Sequence, residues 1–181
     1  MTGKDRLAEL FRQRAVKFGQ FTLASGKTSS FYIDSKQVLF CGEALGLIAD
    51  GFLDHIARWN VTAVGGLEVG AIPLAAAVVL RGHQRGMNLE GFFVRKAVKE
   101  HGSQQRLEGR LAPGSRVAIV EDVVTTGGSS EQAIEVLQAQ GHTVGGLVCL
   151  VDRGQGARER FSVRFPFESL LGTDDLGLPT A

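Results

Sequence analysis

Beyond residue 60 the sequence alternates short apolar runs with segments of helical apolar spacing, and this alternation restricts the possible folds most. Each run has the length and composition of a strand that is buried on both faces, as in a parallel sheet. The sequence therefore predicts an α/β fold, with a doubly wound, mainly parallel sheet flanked by helices. The runs are Val61–Val64, Phe92–Val94, Val117–Val120 and Leu147–Val151, and the helical segments between them are Pro73–Arg81 and Ser130–Gln140.

Helical spacing also marks the first third of the chain. It predicts one helix from Lys4 to Val16 and another from Glu43 to Trp59. The segment Phe21–Phe40, rich in Ser, Thr and aromatic residues, is predicted to form short strands and turns. At the start of the last predicted helix, Ser129 and Gln132 have the spacing of a capping box.

The composition argues against several classes of function. The 181 residues carry a formal net charge of +1, so a bound anion must be held by a local cluster rather than by an overall field. No apolar stretch has the length of a membrane span, and the N-terminus lacks the apolar core of a signal peptide. Cys41 and Cys149 stand apart, which predicts two reduced thiols rather than a disulfide or a metal site. We therefore expect a cytoplasmic protein that binds neither nucleic acid nor a membrane.

Four polar loops follow the four predicted strands. In an open parallel sheet, ligands bind beyond the carboxyl ends of the strands, so these loops are expected to meet at one edge and form one site. They are Gly65–Gly70, Arg95–Gly102, Glu121–Ser129 and Asp152–Gly156.

The third of these loops combines two acids with a run of small polar residues. Backbone N–H groups and hydroxyls from Thr125 to Ser129 suit a phosphate, and the N-terminus of the following helix adds a partial positive charge. Glu121 and Asp122 would repel that phosphate, so we expect them to accept hydrogen bonds from neutral hydroxyls such as those of a ribose. An ordinary strand-to-helix turn is the alternative, but it does not account for the adjacent acids. The loop is therefore predicted to bind a sugar phosphate.

The second loop is predicted to bring positive charge to an anion. It carries Arg95, Lys96, Lys99 and His101, and no apolar residue anchors it between Lys99 and Leu107. A charge run is more often a solvated face than a site. Beside a sugar phosphate, however, such a loop fits a second anion such as a diphosphate.

Arg153, which follows the fourth predicted strand, has two interpretations. It is placed to form an ion pair with the neighbouring Asp152. It is equally placed to bind a substrate carboxylate, which a guanidinium recognises in a bidentate way. Position alone does not separate the two.

The segment Ser25-Gly26-Lys27-Thr28 ends like a phosphate-binding P-loop but lacks its spacing. That motif needs a Gly five residues before its second Gly, and position 21 holds Phe. No G-x-G-x-x-G follows a predicted strand either. A P-loop NTPase or a dinucleotide enzyme is therefore not expected.

The segment Val117–Ser129, VAIVEDVVTTGGS, resembles the phosphoribosyl diphosphate motif of the type I phosphoribosyltransferases. Phe21–Asp34 resembles the N-terminal hood segment of the orotate phosphoribosyltransferases. Val94–Gly102 is similar to that family's flexible catalytic loop, and Asp152-Arg153 resembles its orotate-binding arginine. The resemblance covers about residues 7–160 in the right order. It implies the type I phosphoribosyltransferase fold with a small N-terminal hood.

This resemblance implies an activity and its partners. The enzyme would transfer the phosphoribosyl group of 5-phosphoribosyl 1-diphosphate to orotate, giving orotidine 5′-phosphate and diphosphate, in pyrimidine biosynthesis. Mg²⁺ would be held mainly by the substrate rather than by protein ligands. A homodimer is implied, in which the flexible loop, about residues 96–109, is shared across the subunits. Residues 1–181 would form one domain, with the hood mainly in residues 1–40.

The resemblance also implies roles for individual residues. Lys99, His101 and Asp122 would be catalytic, and Thr125 and Arg153 would contact orotate. The phosphoribosyl diphosphate would be bound by basic residues of the flexible loop and by the motif. These residues are Arg95, Lys96, Lys99, His101, Glu121, Asp122, Val123, Val124, Thr125, Thr126, Gly127, Gly128 and Ser129.

Two departures and two rival functions accompany this interpretation. Some family members carry a lysine where this chain has Ala24, and some carry one where it has Val69-Gly70, so those contacts are not expected here.

One rival is a non-catalytic regulator that senses phosphoribosyl diphosphate. It should bring a DNA-binding domain, for which we find neither length before residue 20 nor a basic stripe. The other rival is a phosphoribosyltransferase for a different base, which an assay across bases would distinguish.

Overall fold

The structure is a computed structural model that describes residues 2–22, 28–97 and 105–179. Within these ranges the strands form two sheets. The smaller sheet is an antiparallel hairpin of β1 (Val16–Thr22) and β2 (Thr28–Ile33). The larger sheet has the strand order β5-β4-β3-β6-β7-β8. Its strands are β3 (Ala63–Leu67), β4 (Glu90–Val94), β5 (Leu107–Gly109), β6 (Arg116–Val124), β7 (Thr143–Asp152) and β8 (Phe167–Gly172).

Helices cover both faces of the larger sheet. Its neighbouring strands are parallel except for β5, which pairs antiparallel with β4. One apolar core packs α1 (Gly3–Arg14), α2 (Lys36–Leu39), α3 (Gly42–Ile56) and α4 (Ala71–Gln84) against one face. A second core packs α5 (Gly128–Ala139) and α6 (Ala157–Ser162) against the other. The predicted doubly wound, mainly parallel sheet is confirmed, whereas the edge strands β5 and β8 were not predicted.

The first third of the chain follows its prediction with small shifts. The two helices predicted there occur as α1 and α3, and the segment between them contains the hairpin and α2. The backbone N–H of Asp34 donates to the carbonyl of Ala15 over 2.8 Å, which joins the end of β2 to the end of α1. None of the helices in the described ranges is long and apolar enough to span a membrane.

Strand β3 extends beyond its predicted end. Gly65 and Gly66 were assigned to a loop, but both lie in β3. A Cβ on Gly65 would lie 2.1 Å from the carbonyl oxygen of Phe92, and one on Gly66 would lie 2.3 Å from that of Val120. The two glycines therefore allow the neighbouring strands to approach closely, and they do not mark a turn.

Strand β6 and helix α5 also differ from their predicted bounds. Residues 121–124 lie on the strand rather than in the loop. The capping box predicted for Ser129 and Gln132 is wrong, because α5 begins at Gly128 and its N-cap is Gly127, with no side chain capping it. Gly127 has a φ of +81°, and a Cβ there would lie 2.4 Å from the Phe161 ring. A glycine is required at this turn both for its backbone conformation and for space.

Candidate active site

The carboxyl ends of β6 and β7 lie side by side and carry most of the predicted site. Val124 is in register with Asp152, and the backbone N–H of Arg153 donates to the carbonyl of Val124 over 2.9 Å. The acid pair, the Thr/Gly/Ser loop and Arg153 therefore lie at one edge of the sheet.

Asp122 is held between two segments that precede it in the sequence. The hydroxyl of Ser35, two residues after β2, donates a hydrogen bond to Oδ2 of Asp122. Gly70, the N-cap of α4, approaches the same carboxyl group so closely that a Cβ there would lie 2.6 Å from both Cγ and Oδ1. The hairpin segment and the first loop thus meet at this carboxylate.

Glu121, the neighbour of Asp122, is directed toward α5. Its side chain is 6% exposed and accepts a hydrogen bond from the Ser130 hydroxyl over 3.2 Å. Burial, reinforced by the charge of Asp122, raises the pKa of Glu121 to about 8. Glu121 is therefore mostly protonated at neutral pH, and the two acids are not equivalent.

The turn between β6 and α5 forms a shallow concavity of about 30 Å³. Since α5 lacks a side-chain cap, the N–H groups of its first turn are available to a ligand, and the helix dipole favours an anion there. Thr126 lies outside the lining, and its carbonyl accepts from Arg160 over 3.5 Å. This arrangement suits a phosphate. The lining residues are Glu121, Val123, Val124, Thr125, Gly127, Gly128, Ser129 and Ser130.

Arg153 does not pair with Asp152, so the ion-pair interpretation is wrong. Asp152 Oδ1 accepts the backbone N–H of Gly154 over 2.9 Å, and Oδ2 lies 3.4 Å from Nε of Arg158. The neighbouring carboxylate is thus engaged by the turn that follows it and by α6.

The Arg153 guanidinium instead stacks on an aromatic ring. Its Cζ lies 4.9 Å from the centroid of the Phe31 ring, and its Nε is buried without a hydrogen-bond partner. Burial lowers the pKa of Arg153. No carboxylate in the described ranges forms an ion pair with it. Arg153 is partly buried, and a partly desolvated cation without an anionic partner favours the second interpretation, in which a ligand carboxylate completes the pairing.

Arg95 and Lys96 lie at the base of the second loop. The backbone N–H of Arg95 donates to the carbonyl of Arg106, and Nε of Arg106 donates back to the Arg95 carbonyl, both over 2.8 Å. The backbone N–H of Lys96 donates to Glu68 Oε1 over 2.9 Å, which ties this base to the first loop. Lys99 and His101 lie outside the described residues, as does Ala24.

Three residues at this edge were not among the predicted site residues: Phe31, Ser35 and Gly70, of which Gly70 lies in the first predicted loop. Phe31 and Ser35 belong to or adjoin the segment that resembles the hood, and both are buried although Tyr32 between them is exposed. Burial on alternate residues of a short extended segment is a signal that could have marked Phe31. Nothing in the sequence shows which side chains Ser35 and Gly70 approach, since both contacts are long-range.

Comparison with known proteins gives one consistent family. The model of the phosphoribosyl transferase domain matches residues 42–169. An orotate phosphoribosyltransferase of Corynebacterium glutamicum is 42% identical over 176 residues, which cover 97% of this chain and 94% of the relative. The crystal structure of the Mycobacterium tuberculosis orotate phosphoribosyltransferase with Fe(III) dicitrate matches with a TM-score of 0.86 at 38% identity, covering 98% of this chain and 100% of that one. The same enzyme in complex with 5-phospho-alpha-D-ribosyl 1-diphosphate matches with a TM-score of 0.82 at 34% identity and the same coverage.

Proposed function

Because this chain belongs to the orotate phosphoribosyltransferases, we propose that separate groups at the edge of the sheet bind its two substrates. The enzyme transfers the phosphoribosyl group of 5-phosphoribosyl 1-diphosphate to orotate in pyrimidine biosynthesis, giving orotidine 5′-phosphate and diphosphate. One observation carries the proposal. Asp122, the uncapped start of α5 and the unpaired guanidinium of Arg153 lie together at the carboxyl ends of β6 and β7.

The phosphoribosyl diphosphate is assigned to β6 and the turn that follows it. The 5-phosphate accepts hydrogen bonds from the first-turn amides of α5 and from hydroxyls between Thr125 and Ser129. The ribose hydroxyls donate to Asp122, while Glu121, whose pKa is raised to about 8 by burial, adds little negative charge beside the phosphate at pH 7. The Mycobacterium tuberculosis relative forms a complex with this same diphosphate, which supports its choice as the ligand.

Orotate is assigned to Arg153, with Thr125 as a second contact. Orotate carries a carboxylate, and a guanidinium binds that group through two parallel N–H bonds. The Phe31 ring lies against the Arg153 guanidinium, 4.9 Å from Cζ to the ring centroid, and so limits where the guanidinium can move.

The reaction is a displacement at the anomeric carbon of the ribose. The bond from this carbon to the diphosphate oxygen breaks, its bond to the ring nitrogen of orotate forms, and the proton of that nitrogen is released to the departing diphosphate or to solvent, so no protein nucleophile is required. Negative charge grows on the departing diphosphate. We assign its stabilisation to Arg95, Lys96 and Lys99, whose positive charges count for more in the transition state than in the ground state, with His101 as a further hydrogen-bond donor.

Mg²⁺ fits the oxygen-rich chemistry of this edge. Magnesium is usually bound by one or two carboxylates together with substrate phosphates and water. Asp122 offers such a carboxylate, and in the described ranges there is no group of three or more side chains that could hold a metal ion. We propose that Mg²⁺ would be held mainly by the diphosphate and the ribose hydroxyls, and that it would supply positive charge to the leaving group.

The proposal extends to assembly and location. In a homodimer, the loop of about residues 96–109 would reach the partner's site, while its last residues form β5 on their own sheet. Residues 1–181 would form a single domain with the hood mainly in residues 1–40. The free thiols of Cys41 and Cys149 fit a reducing cytoplasm.

A product assay across bases tests this function. The purified protein is incubated with phosphoribosyl diphosphate, Mg²⁺ and one base at a time (orotate, uracil, adenine or hypoxanthine), and nucleotide formation is measured by chromatography. We expect orotidine 5′-phosphate from orotate and no nucleotide from the other bases. Turnover of another base would indicate a different specificity, and binding without turnover would indicate a regulator.

A further inference from the structure

We propose that Ser35 is a positioning residue for phosphoribosyl diphosphate, because its hydroxyl holds the Asp122 carboxylate in the orientation that receives the ribose. The inference rests on the role proposed above for Asp122. It adds a residue outside the recognised motif and assigns part of the sugar site to the segment between β2 and α2.

The Ser35 hydroxyl is committed to Asp122 rather than to its own helix. Serine at a helix N-cap ordinarily accepts a hydrogen bond from an amide of the first turn. Ser35 is the N-cap of α2, yet its side chain makes no capping hydrogen bond. It is 4% exposed and donates to Asp122 Oδ2, a residue 87 positions away in the sequence. The Ser35 hydroxyl therefore contacts Asp122 at the site instead of capping α2.

Gly70 limits the same carboxylate from another segment. Its missing Cβ would lie 2.6 Å from Cγ and Oδ1 of Asp122 and 2.9 Å from Oδ2. The carboxylate therefore has little room to turn toward Gly70, while Ser35 anchors Oδ2. Two constraints from separate segments define one orientation.

The anchor leaves Asp122 able to bind a ligand. An ionised carboxylate has about four acceptor positions on its two oxygens, and the Ser35 hydroxyl occupies one of them. A side chain fixed before binding loses less conformational entropy when the ligand arrives. Removing the Ser35 hydroxyl should therefore weaken binding of the sugar while the remaining contacts persist.

A purely structural role for Ser35 is the competing explanation, and the chain offers a matched control. Ser115 is also buried, at 8% exposure, and its hydroxyl donates to the carbonyl of Ala112 over 2.6 Å. It directly precedes β6, at the end of the strand opposite Asp122. Ser115→Ala removes a comparable buried hydrogen bond far from the site.

The test is a double-mutant cycle on the affinity for phosphoribosyl diphosphate. Calorimetry with Mg²⁺ gives the Kd for the wild type, Ser35→Ala, Ser115→Ala, Asp122→Ala and the Ser35→Ala/Asp122→Ala double variant. Circular dichroism and Tm confirm folding. A hydrogen bond to a charged group corresponds to roughly a tenfold or larger change in affinity. We expect about a tenfold weaker Kd for Ser35→Ala, and no further weakening when it is added to Asp122→Ala.

Each other outcome has a definite meaning. A wild-type Kd for Ser35→Ala with a weakened Asp122→Ala would overturn the role of Ser35 and keep that of Asp122. An unchanged Kd for Asp122→Ala would overturn the proposed ribose contact itself. Additive losses in the double variant, or an equal loss in Ser115→Ala, would show that Ser35 acts on stability and not through Asp122. If Ser35→Ala does not fold, Ser35→Cys, which keeps the size but only a weak donor, takes its place in the cycle.

Discussion

The guanidinium carbon of Arg153 lies 4.9 Å from the centroid of the Phe31 ring. This contact joins the N-terminal hairpin to the segment after β7, which are far apart in the sequence. A ring that covers one face of a guanidinium leaves its N–H edges available for a carboxylate. If Arg153 binds orotate as proposed, the hairpin would take part in its recognition.

Phe31→Leu should raise the KM for orotate several-fold and change the KM for phosphoribosyl diphosphate little. Leucine keeps an apolar side chain but removes the ring, and a cation–π contact contributes roughly 0.5–2 kcal/mol. Steady-state kinetics with each substrate varied in turn measure both constants. Phe21→Leu is the control, because the Phe21 ring packs on Tyr32, at 5.6 Å between centroids, and no arginine of the described residues lies over it. Equal effects of the two variants on orotate would argue against a role for the Phe31 ring.

Gly70→Ala should reduce kcat/KM for phosphoribosyl diphosphate about tenfold or more and leave the Tm near that of the wild type. Gly70 has a φ of −60°, so alanine causes no backbone strain. Its Cβ would lie 2.6 Å from the Asp122 carboxyl and would displace it. A loss of about one hydrogen bond to a charged group corresponds to this change. Gly46→Ala, on α3 with open space around its Cβ, is the control. Unchanged kinetics for Gly70→Ala would mean that the position of the Asp122 carboxylate is not critical.

Glu121→Gln should flatten the pH dependence of the free energy of unfolding. The pKa of Glu121 is raised from 4.5 to about 8 in the folded state, mainly by burial. The protonated Glu121 side chain therefore adds to the free energy of unfolding. This stabilisation is fully present below pH 4.5 and is lost as the pH rises toward 8, because the unfolded chain releases the proton first. The loss is at most about 1.4 kcal/mol per pH unit. Above pH 8 both states are ionised and the loss stops growing.

Urea denaturation from pH 5 to pH 9 measures this difference. The wild type should lose stability relative to Glu121→Gln as the pH increases through this range. Glu135 is an exposed residue on α5. The free energy of unfolding of Glu135→Gln should change with pH in the same way as that of the wild type. A constant difference between the wild type and Glu121→Gln would show that Glu121 does not take up a proton on folding.

The fold could be predicted from the sequence because the buried strands are local apolar runs. The ends of strands and helices could not be predicted where a residue type is set by a contact with a distant part of the chain. Gly65 and Gly66 look like a turn, but they lie in β3, where only glycine fits against the carbonyls of Phe92 and Val120. The edge strands β5 and β8 carry weak patterns, since edge positions are only partly buried.

The residue types of the candidate site could be predicted, but the contacts between its side chains could not. The acids and the Thr/Gly/Ser turn are adjacent in the sequence, so their common location follows from one strand. Glu121 and Asp122 have different partners, Ser130 of α5 and Ser35 before α2, and adjacency in the sequence does not reveal this difference. The partners of Arg153 and Asp122, Phe31 and Ser35, come from a distant hairpin, and sequence spacing carries no information on such contacts.

A mixture of two inactive variants should recover about a quarter of wild-type activity if the flexible loop acts across a homodimer. Lys99→Ala removes a loop charge, and Asp122→Asn removes the ribose contact. After subunit exchange, about half of the dimers are mixed, and each holds one site with Asp122 and an intact Lys99 from across the interface. Native mass spectrometry verifies exchange before activity is measured. No recovery after verified exchange would place Lys99 over its own subunit.

The division of the two substrates between Arg153 and Asp122 is tested most directly by the KM values of Arg153→Ala and Asp122→Asn for both substrates. Arg153→Ala should raise the KM for orotate about tenfold or more, since a lost charged hydrogen bond costs roughly 1.5–3 kcal/mol, and should affect phosphoribosyl diphosphate far less. Asp122→Asn should keep the fold, lose most of its turnover and weaken the use of phosphoribosyl diphosphate. Equal effects of Arg153→Ala on both substrates, or near wild-type kcat for Asp122→Asn, would contradict the account.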